Sequence, residues 1–383
     1  MRPGIEVVLA DSIHVIAGRR LGLLTNHTGI DRQGRRDVDL LLAAHVQLTV
    51  LFSPEHGLRG TEDRPGLPDE RDSLSGLPIY SLYGGSRSAA RMALDSIDVL
   101  LIDMQDVGAR YYTYIASAVQ LMREATRAGK RVVVLDRPDP IGGVAVQGNV
   151  HQDVQDPDSG PARVGFLPIA MRHGMTMGEL ARLANDVLGI HADLVVVPAL
   201  GWQRSMFYDS TGLPWVKPSP NLPDLQSALN YPGLCLFEGT NLSVGRGTTL
   251  AFQVVGAPWL DTGAVLGRLR DLALRGVEIR GAVFTPLAPT DFKYAGVPLH
   301  GLQVVVRDRA QYDPTEVAVA LLEAIRAVHP GQFEFKPETF DRLAAGPGLR
   351  HQLEMGTPVA VIWGEWDRQL ARFREGRKKY LIY

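Results

Sequence analysis

The sequence predicts an α/β protein: a doubly wound, mostly parallel sheet in the N-terminal half, followed by a second, smaller part with its own strands and helices. Three observations predict it. Short, near-continuous apolar runs recur along the first half, helix-period segments separate them, and each run ends in a Gly- or Pro-rich loop. Strands that are apolar on both sides belong to a parallel sheet covered by helices on both faces.

Taken in order, residues 20–26 (RLGLLTN) read as the first strand and residues 36–44 as a helix after the Gly34 loop. Residues 46–53 (VQLTVLFS) and 98–103 (DVLLID) are the next strands. Residues 111–128 place Ile115, Ala118, Val119 and Met122 on one stripe, with Gly129 as the stop, which predicts a helix. A strand at 131–136, a helix at 177–188 and a strand at 193–197 complete the alternation. The second part begins in the aromatic, proline-rich stretch 202–223. It carries helices at 264–274 and 315–328, strands at 277–284 and 302–306, and a Gly- and Thr-dense segment, 242–258, between the two parts. Its layering reads as α+β or as a smaller α/β unit.

Composition narrows the function. Of 383 residues, 45% are hydrophobic, enough for a buried core; 40 basic against 42 acidic side chains leave a formal charge of −2. Such a chain has no field to hold a polyanion, so nucleic acid is not an expected partner, nor is a membrane. The lone Cys235 excludes an intrachain disulfide and a cysteine-rich metal site. The first ten residues have no signal-peptide core, which predicts a cytoplasmic chain. Residues 25–29 (TNHTG) stand where a dinucleotide-binding fold has G-x-G-x-x-G, and Walker A spacing is missing, so no cofactor is expected. The ten histidines show no metal-ligand spacing, and no metal site is expected.

In a doubly wound sheet the ligand site lies at the carboxyl ends of the strands. The second strand ends in residues 53–57 (SPEHG), where Pro54 and Gly57 fix a rigid turn holding Glu55 and His56 over that cleft. The next ends in residues 103–114, which gather Asp103, Gln105, Asp106, Arg110, Tyr112 and Tyr114. Such a mixture of carboxylates, amide and flat aromatic faces suits a sugar, although Asp106 and Arg110 also read as a helix-start anion and its partner. The fourth strand ends at Asp136 and Arg137, a loop-stabilising pair or a substrate contact. Thr176 and Glu179 spell a capping box, a structural role. Glu238 follows an apolar run, a setting that lifts a carboxyl toward general-acid use. Arg246 matches a substrate carboxylate bidentately or forms an internal salt bridge with Glu238.

Eight segments in this order resemble the exo-β-N-acetylmuramidase family of glycoside hydrolases, formerly a domain of unknown function. They are TNHTG (25–29), SPEHG (53–57), D-x-Q-D-V-G-x-R-Y-Y-T-Y (103–114), LDRPDPIGG (135–143), HGMTMGEL (173–180), PSPNLP (218–223), YPGLCLFEGTNLSVGRGT (231–248) and GAPW (256–259). The chain departs from the pattern after residues 245–248, where Thr249–Leu250–Ala251–Phe252 stands in place of an expected proline. The resemblance implies a Rossmann-like catalytic domain, residues 1–223, and a smaller C-terminal domain, residues 224–383, closing the active-site cleft. It implies removal of terminal β-linked N-acetylmuramic acid from the non-reducing end of peptidoglycan fragments. Glu55 is then the leading catalytic carboxyl, with Glu238, Asp106 and Tyr112 in support. Asn26, His56, Asp103, Gln105, Arg110, Tyr114, Asn241 and Arg246 bind substrate, with Arg246 or Arg110 on the lactyl carboxylate.

Glu55 would protonate the leaving oxygen, and a second carboxylate or the substrate's own acetamido group would attend the anomeric carbon. Two other readings stand beside it: a non-catalytic sugar-binding protein using the same cleft, and a metal-assisted hydrolase built on His56, Asp103 and His173.

Overall fold

In a computed structural model, which describes residues 1–62, 66–84, 87–155 and 164–383, the apolar runs become strands where the sequence places them. The strands are β1 (Arg20–Thr25), β2 (Gln47–Ser53), β3 (Glu70–Arg71), β4 (Pro78–Ser81), β5 (Val99–Asp103) and β6 (Arg131–Leu135). They continue as β7 (Gln147–Val150), β8 (Ala170–Arg172), β9 (Leu194–Val197), β10 (Val254–Ala257), β11 (Val277–Phe284) and β12 (Leu299–Val306). Seven of them form the main sheet in the order β3-β4-β2-β1-β5-β6-β9. Every pairing in it is parallel except β3 with β4 at the edge.

Alternation along each strand makes the sheet two-faced. Leu21, Leu23, Val99, Leu101, Val133 and Leu135 point to one side, under helices Gly4–Ala10 and Asp37–Ala43. Leu24, Leu100, Ile102, Val132 and Val134 point to the other, under helices Arg87–Asp95, Tyr114–Arg127 and Met177–Val187. The doubly wound, mostly parallel architecture is therefore present. The chain steps outward from β1 to β2 and β4, then returns to lay β5 on the other side of β1. Crossovers diverge between β1 and β5, and this switch point opens a crevice at the strands' carboxyl ends.

The smaller C-terminal part is a separate antiparallel sheet, β10-β12-β11, with helices. Helix Pro314–Val328 is buried along most of its length and packs on helices Leu225–Leu234 and Thr262–Leu269. Residues 242–258, expected as a link, end in β10. Helix Val359–Arg377 then returns the chain to the N-terminal half, packing on β7. Beyond it the Tyr383 hydroxyl donates to Asp136 Oδ2 at 2.8 Å, and Ile382 N–H donates to Glu179 Oε1 at 2.9 Å. Among the described residues no helix is long and apolar enough to cross a membrane.

The core behind the crevice holds an acidic group that makes stability pH-dependent. Asp139 is buried, and loss of solvent pushes its carboxyl up to about 7, partly opposed by His173 and Arg172. The folded chain therefore binds a proton that the unfolded chain releases in the ordinary carboxylate range. This group's contribution to stability is complete at acid pH and is lost as pH rises through about 7. Asp139→Asn should remove that dependence: between about pH 5 and about pH 8 the wild type should lose roughly 2–3 kcal/mol relative to the variant. Urea denaturation at the two pH values measures the difference; parallel profiles would contradict the assignment.

Candidate active site

Glu55 lies just past the end of β2, in a turn closed by Gly57 N–H donating to Pro54 O at 3.1 Å. His56 takes a left-handed backbone (φ 69°), a conformation a non-glycine residue adopts only where its surroundings over-determine it. Its Nδ1 meets Glu62 O at 2.7 Å. Across the switch point, Thr113 occupies the position before helix Tyr114–Arg127 but does not cap it. Its hydroxyl donates instead to Glu55 Oε2. One carboxyl oxygen is thus fixed, and Oε1 carries no hydrogen bond to the described residues.

Glu55, His56, Tyr112 and Thr113 line a cavity of about 200 Å³ together with Tyr231, Glu238, Arg246 and Arg342 from the C-terminal half. Glu238 sits on the 3₁₀ turn Cys235–Gly239. It is not in the apolar surround that its preceding residues suggest. Arg246 reaches its Oε1 at 2.5 Å through Nη2 and at 2.6 Å through Nε, and the Cys235 thiol donates to Oε2 at 3.5 Å. The salt bridge, one of the two readings of this pair, is the arrangement present. Lys293, 9% exposed, donates to the carbonyls of Phe237, Glu238 and Leu242 and ties down the turn; burial lowers its ammonium to about 8. The departure from the family pattern falls beneath the pair: the Arg246 guanidinium lies 5.4 Å over the Phe252 ring, which in turn stacks edge-on with Tyr231 at 4.8 Å.

Several expected site residues are placed elsewhere. Asp103 is fully buried and bidentate with Arg137 (2.5 and 3.1 Å), so its carboxylate is used inside the sheet end. Arg137 therefore pairs with Asp103 rather than with Asp136, which accepts from Thr176, Gly178 and Tyr383. Arg110, 2% exposed, spends its guanidinium on the carbonyls of Asn149, Ile169 and Leu343 and on Asn149 Oδ1, and does not line the cavity. Asp106 is likewise buried behind the wall, its Oδ1 accepting from Gly108 N–H at 2.7 Å and facing His173 Nε2 at 3.4 Å.

Gln105 donates to Asp106 O and Pro138 O, while Asn26 Oδ1 accepts from Thr28; both side chains are buried. Asn241 fastens residues 332–334 to its own loop through Gln332 O and Glu334 N–H. The hydroxyls of Tyr112 and Tyr114 both donate to Pro218 O, at 2.5 and 2.7 Å, and burial raises both phenols far above the range in which they ionise. Tyr112 presents its ring to the cavity, with its proton committed to Pro218. The Thr176–Glu179 capping box is present as expected. Among the described residues no three His, Cys, Asp or Glu side chains come together to hold a metal ion.

Thr113, Tyr231 and Arg342 are lining residues that the sequence does not single out. Thr113 and Tyr231 lie inside quoted motifs, where a hydroxyl next to so many tyrosines draws no notice. Arg342 lies beyond the last matching segment, on helix Pro337–Leu343.

Comparison with known proteins places this geometry. Residues 21–226 match the family model "Exo-beta-N-acetylmuramidase NamZ, N-terminal", and residues 229–383 match its C-terminal counterpart. The chain is 39% identical over 386 aligned residues to the peptidoglycan beta-N-acetylmuramidase NamZ of Bacillus subtilis (strain 168), covering 100% of this chain and 91% of that one. Two crystal structures of DUF1343 family proteins from Bacteroides fragilis NCTC 9343 superpose with TM-scores of 0.89 and 0.77. They are 32% and 31% identical, and each comparison covers 100% of this chain and 98% of the other. With both halves matched and the sheet-end cavity drawing on each, the chain belongs to the exo-β-N-acetylmuramidase family.

Proposed function

We propose that this protein is an exo-acting glycosidase that releases terminal β-linked N-acetylmuramic acid from the non-reducing end of peptidoglycan fragments, with Glu55 as its general acid. The observation that carries the reading is one side chain: Glu55, held by Thr113 through one oxygen with the other left for a ligand, in a cavity shared with the Glu238–Arg246 pair. A volume of about 200 Å³ suits one sugar ring with its substituents rather than a long glycan groove. Residues 1–223 supply the acid, the His56 turn and the Tyr112 face; residues 224–383 supply Tyr231, Glu238 and Arg246 and close the cleft.

In this mechanism Glu55 protonates the glycosidic oxygen as the bond to the anomeric carbon breaks and positive charge spreads over the ring; the oxygen of one water molecule then bonds to the anomeric carbon, giving the free sugar, and the proton it releases restores the Glu55 acid. Glu238, fixed in orientation by Arg246, is the carboxylate from the other wall that stabilises this charge. The rings of Tyr112 and Tyr231 exclude water and cover the apolar sugar face.

The test is product analysis with a reducing-end-labelled oligosaccharide that begins with muramic acid. The expected result is free N-acetylmuramic acid and a labelled chain shorter by one sugar. Internal fragments would contradict the exo reading, and saturable binding without release of sugar would favour a non-catalytic binding protein.

A further inference from the structure

Muramic acid differs from glucosamine by a lactyl ether that ends in a carboxylate, so an enzyme selecting it needs a cation free to meet that group. The two arginines the sequence offers for the task are both engaged. Arg110 is buried against carbonyl oxygens, and Arg246 is neutralised by Glu238. Arg342 is different. It is exposed, lines the same cavity as Glu55, and makes no hydrogen bond or ion pair with any described residue.

Its position is nevertheless fixed. Helix Pro337–Leu343 is docked at its start by Lys336 N–H donating to Gly239 O at 2.7 Å. Along its length Gly239 packs so closely that a Cβ there would lie 2.5 Å from Phe340 Cα. At its end Leu343 O accepts from Arg110 Nη2 at 2.9 Å and Ala344 O from Asn149 at 2.6 Å. Arg110 and Gly239, both members of quoted motifs, thus hold the backbone on either side of Arg342.

Charge points the same way. The cavity holds two carboxylates, Glu55 and Glu238, and two guanidiniums, Arg246 and Arg342. Arg246 is paired with Glu238, whereas Arg342 has no ion-pair partner among the described residues. A guanidinium with both edges available receives one carboxylate bidentately.

We propose that Arg342 reads the lactyl carboxylate of the substrate and that Arg110 is a positioning residue acting through the Leu343 carbonyl. The proposal rests on the muramidase reading. It is tested with the full chain, aryl β-N-acetylmuramide as free acid, and the same compound as its lactyl carboxamide. Wild type should prefer the free acid in kcat/KM. In Arg342→Ala that preference should fall roughly 10–100-fold, the worth of a charge-assisted hydrogen-bonded pair, and Arg342→Lys should restore part of it. A preference that survives in Arg342→Ala, or an equal loss on acid and carboxamide, would overturn the assignment while leaving the muramidase reading intact. A wild type that cleaves neither compound would overturn both.

Discussion

Glu55→Gln is expected to lower kcat/KM on a muramic acid–glucosamine disaccharide by roughly 10²–10⁴-fold, the usual worth of a positioned proton donor. Glutamine keeps the shape of the side chain and still accepts from the Thr113 hydroxyl, but it has no proton to give the leaving oxygen. The fold should be indifferent: the side chain is only half-buried at a cavity wall and makes no ion pair with a described residue. Steady-state rates with a parallel thermal melt check both halves of the statement. A variant that retains wild-type turnover would remove Glu55 from the chemistry.

The second large effect is on stability. Arg137→Met should destabilise the chain by about 3–5 kcal/mol, because it leaves Asp103 buried and uncompensated. The cost is sharpened by Asp37, whose carboxyl is itself pushed well up by burial and by the nearby Asp103. Arg137 also loses a hydrogen bond to Ile30 O at 2.9 Å, so the loop after β1 should loosen with it. The same geometry keeps the Asp103 carboxylate on Arg137 and off the cavity lining. Asp103→Asn should lower the melting temperature and leave KM near wild type once the protein is folded, since the carboxylate does not line the cavity. A variant with normal stability and a raised KM would return Asp103 to the site.

Legibility followed burial. Strands β1, β2, β5, β6 and β9 are apolar on both faces or close to it, and a run such as residues 99–103 leaves little choice of structure. The edge strand β3 and its neighbour β4 were not legible: they are short, carry Glu70, Arg71 and Pro78, and owe their state to pairing across the sheet rather than to propensity. Helix Leu225–Leu234 hid behind Pro232, which a helix end tolerates when tertiary packing fixes the last turn.

The site divides in the same way. Glu55 and His56 line the cavity, on a turn that Pro54 and Gly57 rigidify at a predictable strand end. Asp103, Asp106 and Arg110 do not line the cavity, and in sequence a strand-end cluster of polar groups looks alike whether it faces a ligand or satisfies buried carbonyls. Only the partners, Arg137, His173 and Leu343 O, separate the two cases, and they lie 34, 67 and 233 residues away in sequence. Arg342 offered no local signal; it reaches the cavity through the docking of Phe340 on Gly239.

The claim on which the mechanism depends is that Glu55 gives its proton to the departing oxygen. It is tested most directly by how the Glu55→Gln defect varies with the leaving group. Dinitrophenolate departs without protonation, whereas the hydroxyl of a glucosamine residue does not. With Glu55 as proton donor, kcat/KM of the variant on dinitrophenyl β-N-acetylmuramide should lie within roughly tenfold of wild type, while on the disaccharide it should fall by roughly 10²–10⁴-fold. An equal loss on the two substrates would contradict it.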